Sequence, residues 1–163
     1  MAGVTEPDWD HLADGNARQA RKRVAVDVLI RDDQDRVLLV NPTYKDFWDL
    51  PGGMAEANEP PRAAAERELW EELRLSVPLG RMLALDWVGP HGPWDDQLIL
   101  VFDGGVLEAT RTTRLTPADP EIAELTFADR TDITRLLRDD MARRTERARA
   151  ALADGTTAYA ERP

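Results

Sequence analysis

The segment "WDLPGGMAEANEPPRAAAERELWEELRL", residues 48–75, combines a tight turn with a short helix crowded with glutamates. Pro60 and Pro61 suit the start of a helix, and residues 62–74 are good helix formers. Pro78 ends this pattern. The chain already carries a net charge of -10, and like charges at helical spacing repel by roughly 0.2–0.5 kcal/mol per pair. The glutamates therefore either bind a positive group or form an ordinary solvated face.

The positions of the glutamates around the predicted helix favour a shared ligand. At about 100° per residue, Glu68, Glu71 and Glu72 fall on one face, whereas Glu66 falls on the other side. Beside the acidic face runs an apolar stripe that repeats every four residues: Ala65, Leu69 and Leu73. One edge of the helix can then pack on a sheet while the next presents three carboxylates. This arrangement suits Mg²⁺, which prefers oxygen ligands, although a solvated acidic face remains the alternative.

Composition limits the class of protein. The 163 residues, 42% hydrophobic and 32% charged, are typical of one globular domain. No apolar run reaches the roughly 18 residues of a membrane helix, and the acidic N-terminus lacks the apolar core of a signal peptide. We therefore expect a cytoplasmic protein of one domain, residues 1–163. Residues 1–20 form a peripheral segment in this prediction, and residues 138–153 form a C-terminal helix.

Several kinds of active site are excluded by the residues that the chain lacks. It has no cysteine, which excludes disulfide scaffolds, Cys-zinc sites and thiol nucleophiles. Ser76 is the only serine and lies outside a G-x-S-x-G turn, and His11 and His91 are far apart. No P-loop or dinucleotide-binding glycine pattern occurs, and the acidic balance argues against nucleic-acid binding. Carboxylates must therefore carry any acid–base or metal chemistry.

The order of predicted elements indicates an α/β fold. Residues 23–30 and 36–40 are β-branched runs flanking a polar turn, which predicts a hairpin. Residues 47–53 form a short extended piece that ends in two glycines, and further strands are predicted over residues 79–88, 97–106 and 121–129. Residues 133–137 and 141–152 are expected to be helical.

The opening segment resembles the Nudix box, G-x5-E-x7-R-E-U-x-E-E-x-G-U, where U is a bulky aliphatic residue. All its charged positions match at the family's spacing. The matching residues are Gly53, Glu59, Arg67, Glu68, Leu69, Glu71, Glu72 and finally Leu75. The departure is Arg74, which stands where the family has its second glycine. That glycine usually closes the helix, so arginine needs another way to turn. The likeness extends more loosely over residues 24–128.

The resemblance to the Nudix hydrolases (MutT-like) implies a fold and a reaction. The implied fold is an α/β/α sandwich around a mixed β-sheet. Family members hydrolyse a pyrophosphate bond in a nucleoside diphosphate linked to another moiety, with Mg²⁺ or Mn²⁺. The implied metal ligands are Glu68, Glu71, Glu72 and the carbonyl of Gly52. Arg67 would orient the acidic groups, and Glu59 would support the loop before the helix.

The resemblance leaves the general base open. In this family it is a glutamate of the helix or an acidic residue of a later loop. Glu121, which precedes a predicted strand, matches the position of such a loop acid only loosely, and an exposed charge is the alternative. Asp95 and Asp96 could also reach a metal, but aspartates in a polar loop are more often solvated.

Aromatic side chains near the expected site are candidates for substrate binding. Phe47, Trp48 and Trp94 could stack a base, and Trp94, between Pro93 and Asp95, is the best placed in sequence. Core packing is the alternative for these residues, and it is the more common role for an aromatic in an apolar strand such as Trp87.

Two further positions bear on the substrate and the helix. Trp70 points away from the acidic face and is expected to be structural. Pro90 lies 15 positions beyond Leu75, a spacing that resembles ADP-ribose pyrophosphatases of the family. This proline slightly favours an ADP-ribose-like substrate.

Three functions are consistent with these residues. The first is metal-dependent hydrolysis of a nucleoside diphosphate-X or nucleoside triphosphate. The second is hydrolysis of a non-nucleotide diphosphate, such as an isoprenyl diphosphate, and the third is a ligand-sensing module that no longer hydrolyses. The expected partner is a small phosphorylated molecule, with no nucleic acid and no membrane. Many family members dimerise, which leaves a homodimer open.

The C-terminal stretch "RRTERARAAL" has two interpretations. It could be a basic helix that contacts RNA, or an amphipathic helix packed on the domain or on a second subunit. The acidity of the whole chain favours packing.

Overall fold

The computed structural model describes residues 7–163. Its strands are β1 (Arg23–Arg31), β2 (Val37–Pro42), β3 (Gly52–Met54), β4 (Met82–Val88), β5 (Gln97–Val106), β6 (Ile122–Ala128) and β7 (Ala158–Arg162). Its helices are α1 (Trp9–Ala17), α2 (Pro61–Leu73), α3 (Ala109–Thr112), α4 (Arg130–Leu136) and α5 (Asp139–Asp154). The predicted α/β class is confirmed.

The strands form one mixed sheet in the order β6-β2-β1-β5-β4-β7, with β3 paired to β1. β1 runs parallel to β5, and β4 runs parallel to β7. The remaining pairs are antiparallel, and β1 and β2 form the hairpin that their sequences predict. β3 therefore places the Gly-Gly turn directly beside the central strand.

Helices cover both faces of the sheet, as expected for the predicted α/β/α sandwich. Side chains of β1 alternate between the two faces. Val26, Val28 and Ile30 lie in a core cluster with Leu69 of α2, whereas Leu29 lies in a second cluster with residues of α4 and α5. The acidic helix is thus held on one face by its apolar stripe.

Helix α2 is capped at its C-terminal end by an arginine, Arg74, where the family pattern has a glycine. The helix stops at Leu73, one residue before the predicted end, and Arg74 itself adopts the left-handed conformation, with φ 49° and ψ 33°. Its backbone N–H donates to Trp70 O, and the N–H of Leu75 donates to Leu69 O at 3.2 Å. These bonds satisfy carbonyls at the helix end, so arginine makes the same turn at a conformational cost.

The sequence patterns miss three elements and misplace some boundaries. The missed elements are α1, α3 and β7. Two boundaries differ: β4 begins three residues later than the predicted strand, and α4 begins three residues earlier than the predicted helix. None of the residues of α1 is buried, so the helix has no apolar stripe to detect. The predicted peripheral segment, residues 1–20, lies partly outside the described residues. Across residues 7–163, no helix combines the length and apolarity needed to span a membrane.

Candidate functional site

The site begins at Arg67, which joins three carboxylates. Its Nη1 donates to Glu68 Oε1 and to Glu71 Oε2, each at 3.0 Å. Its Nε and Nη2 donate to the two oxygens of Glu59 at 2.9 Å, and Nη2 also reaches Met54 O at 3.1 Å. The bonds from Arg67 lower the pKa of Glu59 to about 2. Arg67 therefore ties the loop before α2 to the acidic face of the helix.

Glu72 lies in a different environment from its neighbours. Its carboxylate accepts the backbone N–H of Gly52 at 3.1 Å. Burial raises the pKa of Glu72 to about 8, and the nearby carboxylates of Glu68, Asp49 and Asp27 add to this effect, while the Gly52 bond opposes it. A buried carboxylate among other carboxylates is stabilised by a cation.

The two glycines of the turn allow the close packing of this region. Gly52 has a φ of +150°, and a Cβ there would lie 2.0 Å from Val26 O. A Cβ on Gly53 would lie only 2.4 Å from Glu68 Oε1. Glycine at both positions therefore leaves the space that β1 and the Glu68 carboxylate occupy.

The donor set fits a hard divalent cation in chemistry and charge. All candidate donors are oxygens, and Glu72 has no cationic partner among the hydrogen bonds and ion pairs of the described residues. Within residues 7–163, however, no three Asp, Glu or His side chains converge closely enough to form a metal-binding group. Glu68 and Glu71 contact Arg67 instead.

The loop before β6 brings further carboxylates to this face. Backbone N–H groups of Ala118 and Asp119 donate to Glu72 O at 2.7 and 3.4 Å, which attaches the loop to the end of α2. A cavity of about 320 Å³ opens here, which we call the acidic cavity. It is lined by Tyr44, Gly52, Gly53, Met54, Glu68, Glu71, Glu72, Asp119, Glu121 and Ile122. The structure thus brings Glu121 to the predicted helix glutamates, together with Asp119, which sequence reasoning missed.

A second cavity, of about 380 Å³, adjoins the acidic one and shares with it Tyr44, Gly52, Gly53, Met54 and Glu72. We call it the cationic cavity because five basic side chains line it: Arg23, Lys45, Arg138, Arg144 and Arg162. Its acidic lining residues are Asp27, Asp49, Glu72 and Asp140. In a chain of net charge -10, this concentration of basic groups favours an anionic ligand.

Aromatic rings in the cationic cavity lie against its basic groups. Arg23 lies 4.6 Å from the centre of the Trp94 ring, and Arg138 lies 4.7 Å from that of Phe47. Lys45 lies 5.5 Å from Phe47. Phe47 and Trp94, both predicted to bind substrate, therefore line the same cavity. Trp94 is 54% exposed, so its ring is accessible to a ligand.

Trp48 is not brought to either cavity, although it was predicted to bind substrate. It is half-buried, packs against the core cluster on the α5 face, and its backbone N–H donates to Leu136 O at 3.2 Å. Phe47 packs partly against the same cluster, but it also lines the cationic cavity, whereas Trp48 lines neither cavity. Trp70, expected to be structural, is 54% exposed on α2.

The aspartates and tryptophan of the β4–β5 region also lie away from the glutamates. Trp87 Nε1 donates to Asp96 Oδ2 at 2.8 Å, and Lys22 pairs with the same carboxylate. Neither Asp95 nor Asp96 lines the two cavities. These contacts give Asp96 a structural role beside β5.

Helix α5 contributes a buried arginine that sequence reasoning missed. Arg144 is 4% exposed, its Nε donates to Asp86 Oδ2 at 3.0 Å, and its Nη1 lies 3.5 Å from Asp27 Oδ2. Arg147 also donates to Asp86. Burial raises the pKa of Asp27 to about 6 despite the opposing charge of Arg144. The stretch considered as a basic RNA-contacting helix therefore packs on the sheet with charged partners.

Comparison of the sequence with known proteins gives two findings. Residues 21–151 match a family model described as the NUDIX domain. Diphosphoinositol polyphosphate phosphohydrolase 2 of Rattus norvegicus is 41% identical over 66 residues, which are 40% of this chain and 37% of that protein. The match thus spans little more than a third of that curated relative.

Solved structures share the fold at low sequence identity. A UDP-X diphosphatase superposes with a TM-score of 0.72 and 20% identity, covering 96% of this chain and 76% of that one. The NUDIX domain of Shewanella oneidensis NrtR, complexed with ADP ribose, gives a TM-score of 0.70 and 19% identity, covering 90% of this chain and 99% of that one.

Proposed function

This chain belongs to the Nudix family, and on that premise we propose that it hydrolyses a diphosphate bond in a small anionic substrate, of nucleoside diphosphate-X or related type, with a divalent cation. The observation that carries this proposal is the wall shared by the two cavities. Glu72 and the turn from Gly52 to Met54 line both the acidic and the cationic cavity. A substrate can therefore lie with its diphosphate at the glutamates and the rest of the molecule among basic and aromatic groups.

The cation, Mg²⁺ or Mn²⁺, would be held by Glu68, Glu71, Glu72 and the carbonyl of Gly52. When bound, it would neutralise phosphate charge and lower the pKa of a water molecule. Arg67 would hold Glu68 and Glu71 in position through its hydrogen bonds, as groups that orient metal ligands do. Glu121 lies in the same cavity and is our candidate for the general base, with the helix glutamates as the alternative.

The lining of the cationic cavity favours a charged substrate over an isoprenyl diphosphate. Apolar side chains such as Leu50, Ile99 and Met141 also line this cavity, but an isoprenyl chain carries no charged or polar group for its five basic side chains to bind. The exposed ring of Trp94 offers a flat face for a base. The names of similar proteins refer to diphosphoinositol polyphosphates, UDP-X and ADP ribose, all of which are anionic.

The alternative function is ligand binding without hydrolysis. The observation behind it is the geometry of the acidic side chains: Arg67 already pairs with Glu68 and Glu71, and within residues 7–163 no three Asp, Glu or His side chains form a metal-binding group. The two proposals differ in whether metal addition produces cleavage.

The test is hydrolysis by the purified protein with and without Mg²⁺ or Mn²⁺. Substrates would include ADP-ribose, a UDP-sugar, nucleoside triphosphates, a diphosphoinositol polyphosphate and geranyl diphosphate. We expect metal-dependent cleavage of an anionic, non-prenyl substrate that falls about 100-fold or more in Glu72→Gln. Glu66→Gln is the matched control, since Glu66 is exposed and lines neither cavity.

The outcomes separate the candidate functions. Cleavage that needs no metal, or that survives Glu72→Gln, would refute the proposed site. Preferential cleavage of geranyl diphosphate would favour the isoprenyl alternative. Binding of a ligand without cleavage, with Mn²⁺ binding intact, would favour the sensing module.

A further inference from the structure

One part of the cationic cavity lies away from the wall shared with the acidic cavity. It is formed by Arg138 and Asp140, at the start of α5, and Arg162 in β7. We call these residues the distal cluster. None of the three lines the acidic cavity. Arg162 also follows the segment that matches the family model, residues 21–151.

Two arginines share a single carboxylate in the distal cluster. Arg138 Nη2 donates to Asp140 Oδ2 at 3.0 Å, and Arg162 Nη1 lies 2.6 Å from the same oxygen. The cluster thus carries one positive charge more than it has negative charge. Each guanidinium has five N–H donors, so most remain free after the bond to Asp140. The side chains of Arg138 and Arg162 are 50% and 44% exposed, which leaves them accessible.

The backbone around the distal cluster is held by neighbouring elements. Arg162 pairs with Val88 of β4, and its carbonyl accepts the N–H of Gly89 at 2.7 Å. Arg138 is the residue immediately before α5, and its guanidinium lies over the Phe47 ring. Asp140 lies in the first turn of α5 with its side chain 11% exposed. Supported groups of this kind bind with more precision than groups on free loops.

We propose that Arg138 and Arg162 are specificity-determining residues that bind an anionic group, a phosphate or a carboxylate, on the part of the substrate outside the diphosphate that is cleaved. Arginine suits this role because its planar donors match both groups in a bidentate geometry. Asp140 holds the two guanidiniums side by side. The proposal rests on the proposed function only in placing the cleaved diphosphate at Glu72.

The test measures binding, so it does not depend on hydrolysis. Isothermal titration calorimetry of the full chain, without metal, would compare ligand pairs that differ by one anionic group: UDP-glucuronate against UDP-glucose, and NADP⁺ against NAD⁺. We expect the more anionic member of at least one pair to bind about tenfold more tightly or better. Arg138→Gln and Arg162→Gln should each remove most of this preference and change binding of the other member less than about twofold.

Two control variants distinguish direct binding of the anionic group by Arg138 and Arg162 from a general effect of the substitutions on the structure or charge of the protein. Arg114→Gln makes the same charge change at an exposed residue that lines neither cavity, and it should keep the preference. Arg162→Lys should retain part of it, because charge remains while the planar donors are lost. Equal binding of both members in both pairs, no binding at all, or a preference that survives both glutamine variants would overturn the proposal. Absence of metal-dependent hydrolysis would defeat the proposed function and leave the binding result standing.

Discussion

Gly52 and Gly53 are adjacent in the turn before α2, yet an added methyl group would meet different obstacles. At Gly52 the obstacle is the backbone of β1, with Val26 O at 2.0 Å, and φ is +150°. At Gly53 it is the end of the Glu68 side chain. A backbone strand cannot move without disturbing the sheet, whereas a side chain can rotate. The first glycine therefore supports the fold and the second supports the position of a carboxylate.

Alanine substitutions should separate these two roles. We expect Gly52→Ala to lower the free energy of unfolding by about 2 kcal/mol or more, because backbone strain and overlap add. Gly53→Ala should lower it by less than about 1 kcal/mol but weaken Mn²⁺ binding about 10- to 100-fold, because Glu68 is displaced. Urea denaturation and calorimetry with Mn²⁺ would measure the two effects. Equal losses of stability in both variants would contradict this assignment.

Side chains close together in sequence were more predictable than those brought together by the fold. The spacing of Glu68, Glu71 and Glu72 predicted their common face, and that spacing is fixed by the helix itself. Asp119, Arg138 and Arg162 join the cavities through loop and strand contacts that no local period encodes. Phe47 and Trp48 are equivalent candidates in sequence, and only the folded chain distinguishes them, because Phe47 lines the cationic cavity and Trp48 does not.

The left-handed backbone conformation of Arg74, at the end of α2, is unfavourable for a residue other than glycine. A non-glycine residue in the left-handed region is disfavoured by roughly 1–2 kcal/mol, and Arg74 adopts φ 49°. Its side chain compensates in part, since Nη1 donates to Trp70 O at 3.2 Å and the guanidinium lies 5.5 Å from the Trp70 ring. The contacts of Arg74 therefore oppose its own backbone strain.

We expect Arg74→Gly to raise the free energy of unfolding by about 0.5–1 kcal/mol, because glycine adopts this conformation freely. Arg74→Ala should instead lower it, since alanine keeps the strain and loses the contacts. Urea denaturation of the two variants separates backbone from side chain. A less stable glycine variant would mean that the contacts with Trp70 outweigh the strain.

The β1–β2 turn is held by a buried aspartate. Asp32, 3% exposed, accepts hydrogen bonds from the backbone N–H groups of Gln34 and Arg36 and from the side chain of Arg36. Burial raises its pKa, but these bonds outweigh burial, so the pKa lies below its ordinary value of 3.8. The stability that Asp32 contributes is therefore present above the pKa of the unfolded chain and is lost as pH falls through the lower folded pKa.

We expect Asp32→Asn to cost about 1 kcal/mol of unfolding free energy at pH 7, because asparagine keeps an acceptor oxygen but loses the charge that faces Arg36. The difference from the native chain should begin to shrink below about pH 4, where the unfolded chain takes up a proton, and should disappear once the pH falls below the lower pKa of Asp32 in the folded chain. Urea denaturation of both proteins at several pH values from 7 to 3 would measure this difference in unfolding free energy. Asp33→Asn, at an exposed neighbouring position, is the control, and a pH-independent difference would contradict the mechanism.

The elements that the sequence predicts have either a regular repeat of apolar residues or a recognisable turn sequence at one end. The β1–β2 hairpin, β5 and α2 all do, and their apolar residues lie in the core. α1 buries none of its residues, and β7 is a short, largely exposed strand at the edge of the sheet. Such elements depend on pairing and capping rather than on a hydrophobic pattern.

A divalent cation bound at the proposed site would stabilise the folded chain, whose net charge is -10. A ligand that binds only the folded state stabilises it by about 2.7 kcal/mol at 100 times its dissociation constant. For a chain of this size that corresponds to a rise in melting temperature of about 5–10 °C. We expect Mg²⁺ or Mn²⁺ to give such a rise and EDTA to reverse it, as measured by calorimetry.

Nonspecific screening of the net charge would behave differently. KCl at matched ionic strength should produce a smaller rise, and Glu72→Gln should lose the specific part of the effect while Glu66→Gln keeps it. Equal rises with KCl and Mg²⁺, or in Glu72→Gln and the native chain, would indicate general screening in place of a site.

The parallel pairing of β1 with β5 affects how the chain folds. Arg23 lies opposite Gln97, so the centre of the sheet forms only after closure of a loop that contains β2, β3, α2 and β4. Closure of such a loop is slow, because its entropic cost precedes the contacts that offset it. A helix of 13 residues is marginal on its own, and α2 packs on this sheet. Because α2 contacts mainly β1 and β3, which precede it closely in sequence, we expect its acidic face to become ordered before the β1–β5 pairing closes the centre of the sheet.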